Sequence, residues 1–186
     1  GSALANAQSP YIVPIFDYGE IDGSLFIATQ LVPGSDLGTR IKAGPLGLAA
    51  TLDITRHVAT ALADAHAVGV LHRDVKPSNV LIWDRGDGPH AYLCDFGIAK
   101  IEGVHQTTTE GTVGTWAFLA PERCNGAPAT EASDIYAAGC LLWNMLTGSP
   151  PYSGTPVEIA MAHVSAPVPQ LTGPNLIGPN LTGQPN

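Results

Sequence analysis

The chain has 186 residues, 45% of them hydrophobic and only 13% charged, with a net charge of −8 at pH 7. That length suits one domain with a real core, and the apolar share excludes wholesale disorder. An acidic chain with no Lys/Arg cluster argues against a nucleic-acid partner; at most its charge favours basic peptide substrates by electrostatic steering. Three Cys, none in a C-x-x-C pair, give no disulfide framework and no zinc site, and six His lack metal-ligand spacing. This usage fits a reducing cytoplasm. The longest apolar run, Ile135 to Leu146, is broken by Asn144 and too short to span a bilayer.

In chain order, Ile12 to Ile21 and Leu25 to Val32 read as two β-strands, with Asp22-Gly23 supplying a tight hairpin turn. Ser35-Asp36 opens a short helix that ends near Gly44. From about Pro45 to Val68 runs a long core helix, with Leu48, Leu52, Thr55, Ala59 and Leu62 at three- to four-residue spacing and Gly69 as its stop. His57 and His66 on it read as packed or solvated side chains rather than ligands. Val80 to Trp83 and Ala91 to Asp95 form paired strands across a turn-rich link. A polar, threonine-rich stretch follows, then a buried helix from Thr130 to Thr147 with Gly148 as its stop. Thr155-Pro156-Val157-Glu158 is a capping box that starts a last helix, to about Val164. Beyond Ala166 the echoed Leu-x-Gly-Pro-Asn cannot form a helix and reads as a loop or linker.

The chemistry concentrates in His72-Arg73-Asp74-Val75-Lys76-Pro77-Ser78-Asn79 and in Asp95-Phe96-Gly97. These supply a carboxylate, an amine and an amide within six residues, then a second carboxylate one hairpin later. Phosphoryl transfer asks for such a set, because catalysis there is mostly positioning and charge neutralisation. Asp74 can accept a proton from an alcohol, and Lys76 points to the same side of an extended loop. Asn79 and Asp95 offer oxygen ligands suited to a hard cation such as Mg²⁺ or Mn²⁺.

The pattern H-R-D-x-x-x-x-N, then D-F-G, then Ala120-Pro121-Glu122, resembles the signature set of protein kinases. The Ala- and Gly-rich wording resembles the bacterial, eukaryote-like serine/threonine branch. The resemblance implies an α+β, protein-kinase-like fold in truncated form: a mainly helical large lobe with a remnant of the small-lobe β-sheet. Residues 1–33 would close the small lobe and carry the hinge, 34–166 would form the large lobe, and 167–186 a linker. It implies transfer of the ATP γ-phosphate to Ser/Thr hydroxyls of protein substrates, with Asp74 as base.

By the same resemblance, the backbone of Gln30 and Val32 meets the adenine edge behind a Thr29 gatekeeper, and Leu81 packs under the ring. Asn79 and Asp95 hold the metal, and Lys76 faces the phosphate. Thr115 closes onto Asp74 and Lys76, which favours alcohol acceptors over phenols. Arg73 receives a phosphate from Thr107 or Thr109, the expected autophosphorylation sites. His72, Phe96, Gly97 and Glu122 are structural, and Asp134 fastens the catalytic loop by its backbone. Cys94, beside Asp95, reads as an inert small hydrophobe.

Some family parts are missing. No Gly-rich phosphate loop, strand Lys or partner Glu precedes Pro10, and the last large-lobe helices and the Arg that pairs with Glu122 are absent. Three expectations follow. The isolated chain binds Mg-ATP weakly and transfers little phosphate; its uncovered apolar surface drives self-association; and any membrane anchor of the parent, common after the kinase domain in bacterial relatives, lies outside these residues. The competing reading is a catalytically dead interaction module. It is the weaker one, because Asp74, Asn79 and Asp95 are all retained.

Overall fold

The computed structural model describes residues 9–86, 88–96 and 113–171. An antiparallel hairpin comes first, β1 (Ile15–Ile21) paired with β2 (Ser24–Thr29). Its turn, Asp22-Gly23, places both residues at positive φ, 51° and 78°, as a tight two-residue turn demands. β1 begins at Ile15 rather than Ile12, because Pro14 has no N–H to give and a bulge follows between Ile15 and Asp17. Tyr11 to Val13 runs instead beside a later strand: Val13 N–H donates to the Leu93 carbonyl (3.0 Å) and Leu93 N–H to the Tyr11 carbonyl (2.8 Å). β2 stops at Thr29 rather than Val32, although Gln30 N–H still reaches the Pro14 carbonyl at 2.9 Å.

Gly34 is the joint to the rest of the chain. Its φ is 134°, and a Cβ there would lie 2.1 Å from the Ile82 carbonyl oxygen, so only glycine fits. β3 (Ser35–Asp36), β4 (Val80–Asp84) and β5 (Pro89–Leu93) then form an antiparallel sheet in that order. β5 ends before Asp95, contrary to the sequence expectation. Cys94 N–H turns to the Asn79 carbonyl (3.0 Å) and Asp95 takes φ 57°, outside the extended region.

α1 (Leu37–Lys42) is capped by Asp36, whose carboxylate accepts the Thr39 N–H (2.9 Å) and hydroxyl (2.7 Å). α2 (Leu48–Ala67) follows and packs on β5. Its buried face is Thr51, Ile54, Val58, Ala61, Leu62 and Ala65, whereas Leu48 and Leu52 are 36% and 56% exposed. Of the expected stripe only Leu62 is buried. Short helices α3 (Val113–Trp116) and α4 (Pro121–Cys124) lead into α5 (Glu131–Thr147), which packs against α2. α5 starts with a Thr130/Ser133 capping box and ends at Gly148, φ 79°. α6 (Pro156–Ser165) carries the Thr155/Glu158 capping box. Leu37, Ile54, Leu62, Ile82, Leu93, Leu141 and Met145 are fully buried in one core between sheet and helices, each worth about 2 kcal/mol of burial.

One carboxylate ties three parts of this core. Asp134, on α5, is 2% exposed. Its Oδ2 accepts the His72 N–H at 2.8 Å and lies 2.9 Å from His66 Nε2 on α2, while Oδ1 accepts the Arg73 N–H at 2.8 Å. Asp134→Ala would strand two main-chain N–H donors, that of His72 buried and that of Arg73 partly so, and an imidazole, so it should cost about 3 kcal/mol or more in a denaturant titration. Asp134→Asn, which keeps one acceptor oxygen, should cost less.

A second buried polar group sets a pH response. His57 stacks on Tyr11 (4.3 Å), lies 5.0 Å from His90, and accepts the Ala91 N–H at its Nδ1 (3.2 Å), with Arg56 3.0 Å from Nε2. Burial, then the Arg56 and His90 charges, lowers its pKa from 6.5 to about 4. The unfolded chain therefore takes up a proton there that the folded chain refuses. Stability should fall as pH drops from about 6.5 toward 4. His57→Phe, which cannot titrate, should flatten thermal melts across that window even if it lowers stability at neutral pH.

Candidate active site

The catalytic loop leaves α2 and is shaped by His72, which is fully buried. Its Nε2 meets the Cys94 carbonyl at 2.8 Å, and its Nδ1 meets the Asp74 N–H at 3.2 Å. A carbonyl only accepts and an amide only donates, so the ring is the neutral Nε2–H tautomer. Burial lowers its pKa and keeps it neutral. His72 also packs on Phe96, ring centroids 4.6 Å apart. Arg73 is exposed and sits at φ 70°, its N–H held by Asp134.

The reactive groups then converge. Lys76 Nζ lies 2.8 Å from Asp74 Oδ2 and donates to Thr115 Oγ1 at 3.3 Å. Asn79, in a 3₁₀ turn over Pro77–Asn79, donates its amide N–H to the Asp74 main-chain oxygen (2.8 Å) and more weakly to Oδ2 (3.4 Å). A proton acceptor, an ammonium and a hydroxyl from a distant segment thus share one point, stiffened by an amide.

With its nitrogen so committed, Asn79 keeps Oδ1 free apart from a long 3.4 Å contact from Ser78 Oγ. Cys94 brings Asp95 alongside through its N–H to the Asn79 carbonyl, and the Asp95 side chain is exposed. One amide oxygen and one carboxylate fit Mg²⁺, which binds through one or two protein groups and takes its other ligands from water and phosphate. Among the described residues no group of three or more His, Cys, Asp and Glu could form an all-protein cage. The neighbouring Cys94 thiol is pushed up to about 12, by burial first and then by the Asp95 and Asp36 charges, so it stays protonated and unreactive.

A cleft of about 950 Å³ opens beside this loop. Val32, Leu81, Lys76, Pro77 and Ser78 are on its lining. Gln30 is not on the lining, and its N–H is already spent on the Pro14 carbonyl, leaving only its carbonyl for a ligand. Gly97, Thr107 and Thr109 lie outside the described residues.

Two partners escaped sequence reasoning. His66 closes on Asp134, and Ser133 Oγ–H donates to Glu122 Oε1 at 2.5 Å. Glu122 was expected to lack its Arg partner; it lies instead against a hydroxyl in the first turn of α5, where the helix dipole favours a carboxylate. Contacts between residues this far apart in the chain were not legible in the sequence. Among the described residues no helix is long and apolar enough to cross a membrane.

Comparison with known proteins identifies the family. The protein kinase domain family matches residues 2–172. Serine/threonine-protein kinase PknH of Mycobacterium bovis is 46% identical over 166 residues, covering 88% of this chain and 27% of PknH. The chain therefore spans about a quarter of the length of that curated relative. The crystal structure of the Mycobacterium tuberculosis PknI kinase domain, solved as a single-site mutant, superposes with a TM-score of 0.66 at 31% identity, over 82% of this chain and 56% of that one. Rad53 1–466 in complex with AMP-PNP gives a TM-score of 0.69 at 30% identity, over 87% and 41%. The mixed sheet-and-helix architecture is that of protein kinase domains, which use ATP and Mg²⁺ as a family. This chain belongs to the protein kinase domain family, in its bacterial serine/threonine branch.

Proposed function

We propose that the protein carrying this chain transfers the γ-phosphate of ATP to Ser or Thr hydroxyls of protein substrates, and that residues 34–166 are its large lobe. The observation that supports this most directly is the convergence of Asp74, Lys76 and Thr115, braced by Asn79. In this reading the acceptor hydroxyl binds against the Asp74 carboxylate, which takes its proton. Lys76 offsets negative charge on the phosphate being moved, and Asn79 keeps Asp74 in position through its main-chain oxygen. Thr115, bonded to Lys76, closes the acceptor side and leaves room for an alcohol.

Asn79 and Asp95 would hold Mg²⁺, which neutralises phosphate charge when bound. Val32 and Leu81, both on the cleft lining, would form the adenine wall; Rad53 1–466, of similar fold, is in complex with AMP-PNP. Arg73, exposed beside the site, would receive a phosphate on Thr107 or Thr109 and so couple autophosphorylation to activity.

We also infer self-association of this chain. Phe16, Tyr18 and Leu31 are 71%, 55% and 87% exposed on or beside the β1–β2 hairpin, an apolar surface that water disfavours. Two-stranded hairpins are marginal alone, so a second copy would stabilise it.

Asp74→Asn should lower phosphate transfer to a Thr-containing peptide by about a hundredfold or more, with the melting temperature nearly unchanged. A variant that retains wild-type rates would remove Asp74 as the base and sink the reading. Light scattering across a concentration series should show mass rising with concentration, and Phe16→Ser/Tyr18→Ser should suppress the rise. A strictly monomeric wild-type profile would count against self-association.

A further inference from the structure

The cleft does not end at the catalytic loop. Besides Lys76 it is lined by Gly38, Thr39 and Lys42 of α1 and by Phe118, Tyr152 and Ile159. Its charged lining groups are Asp36, Lys42 and Lys76, and two of them are already engaged. Asp36 accepts the N–H and hydroxyl of Thr39 at the start of α1, where the helix dipole offsets its charge. Lys76 faces Asp74 and Thr115. Lys42 is exposed in the last turn of α1 and makes no ion pair among the described residues. An extended segment lying in this cleft thus meets one unmatched ammonium, that of Lys42 on α1, along with apolar groups such as Phe118 and Ile159.

We propose that Lys42 is a specificity-determining residue: the cleft selects acceptor segments with an Asp or Glu on the α1 side of the acceptor hydroxyl. This rests on the kinase reading above and names the substrate class for the same site. It runs against the preference for basic peptides that the net charge of −8 suggests. The Debye length is about 8 Å at physiological salt, so carboxylates spread over the chain act on encounter only. The seated peptide feels the ammonium it touches.

The test is a binding titration of the protein with fluorescent Thr-containing peptides, in which a single Asp or a single Lys is scanned through the positions flanking the Thr. At one or two neighbouring positions the Asp peptide should bind about three- to fivefold tighter than the Lys peptide. Added salt should shrink that ratio, and Lys42→Glu should reverse it at the same positions while the thermal melt stays in place. Equal binding of the two series, no binding of either, or a preference that Lys42→Glu leaves untouched would overturn the proposal. Phosphate transfer from Mg-ATP to the same peptides is measured in parallel with the full-length protein that carries this chain. Reversal by Lys42→Glu without any transfer by the full-length protein leaves the charge selection standing and refutes the kinase reading instead.

Discussion

The geometry of the site depends on the charge-assisted hydrogen bonds made by the Asp134 carboxylate. Two consecutive main-chain N–H groups, those of His72 and Arg73, converge on it. Directly after them the chain bends, with Arg73 in the left-handed region at φ 70°. A non-glycine residue there costs about 1–3 kcal/mol. Hydrogen bonds to a buried charge, each worth about 1.5–3 kcal/mol, offset that strain. The bend then turns Asp74 and Lys76 outward to the cleft. His72 passes the constraint on, because its ring reaches the Cys94 carbonyl and so fixes the approach to Asp95, itself at φ 57°. One helix carboxylate therefore sets both acidic residues of the site.

Local chemistry was legible in the sequence. Thr130 and Gly148 bound α5, Thr155 starts α6, and Asp22-Gly23 turns the hairpin, because caps and tight turns are decided by residues a few positions apart. The turn at Asp95 did not read that way, because the strand looked continuous through it, whereas β5 ends at Leu93. The face of α2 did not either. Leucines drew the eye to Leu48 and Leu52, but the surface against β5 and α5 includes Thr51, Ala61 and Ala65, small residues that let those elements approach closely. Nor could the sequence place His66 beside Asp134 or Ser133 beside Glu122, since only the completed packing brings them together. Tyr11 to Val13 looked like strand and is extended, but Pro14 hands it to β5 rather than to the hairpin.

In the proposed reading the cleft serves two tasks in one opening. Val32, Leu81, Lys76, Tyr152 and Ile159 all line it. A nucleotide and a protein segment that shared it would meet where the Lys76 ammonium already faces a carboxylate and a hydroxyl. α3 supplies that hydroxyl through Thr115, and its Gly114 also lines the cleft. The placement of α3 would thus bear on both binding and chemistry.

Cys94 carries a consequence for the conditions in which such a site works. Sulfur attacks peroxide as the thiolate, and a thiol held near 12 has almost none at neutral pH. A reactive sulfur adjoining Asp95 would otherwise be an off-switch under oxidative stress in the proposed reading. With the thiol protonated that route is closed at neutral pH, and Cys94 gives peroxide no foothold there.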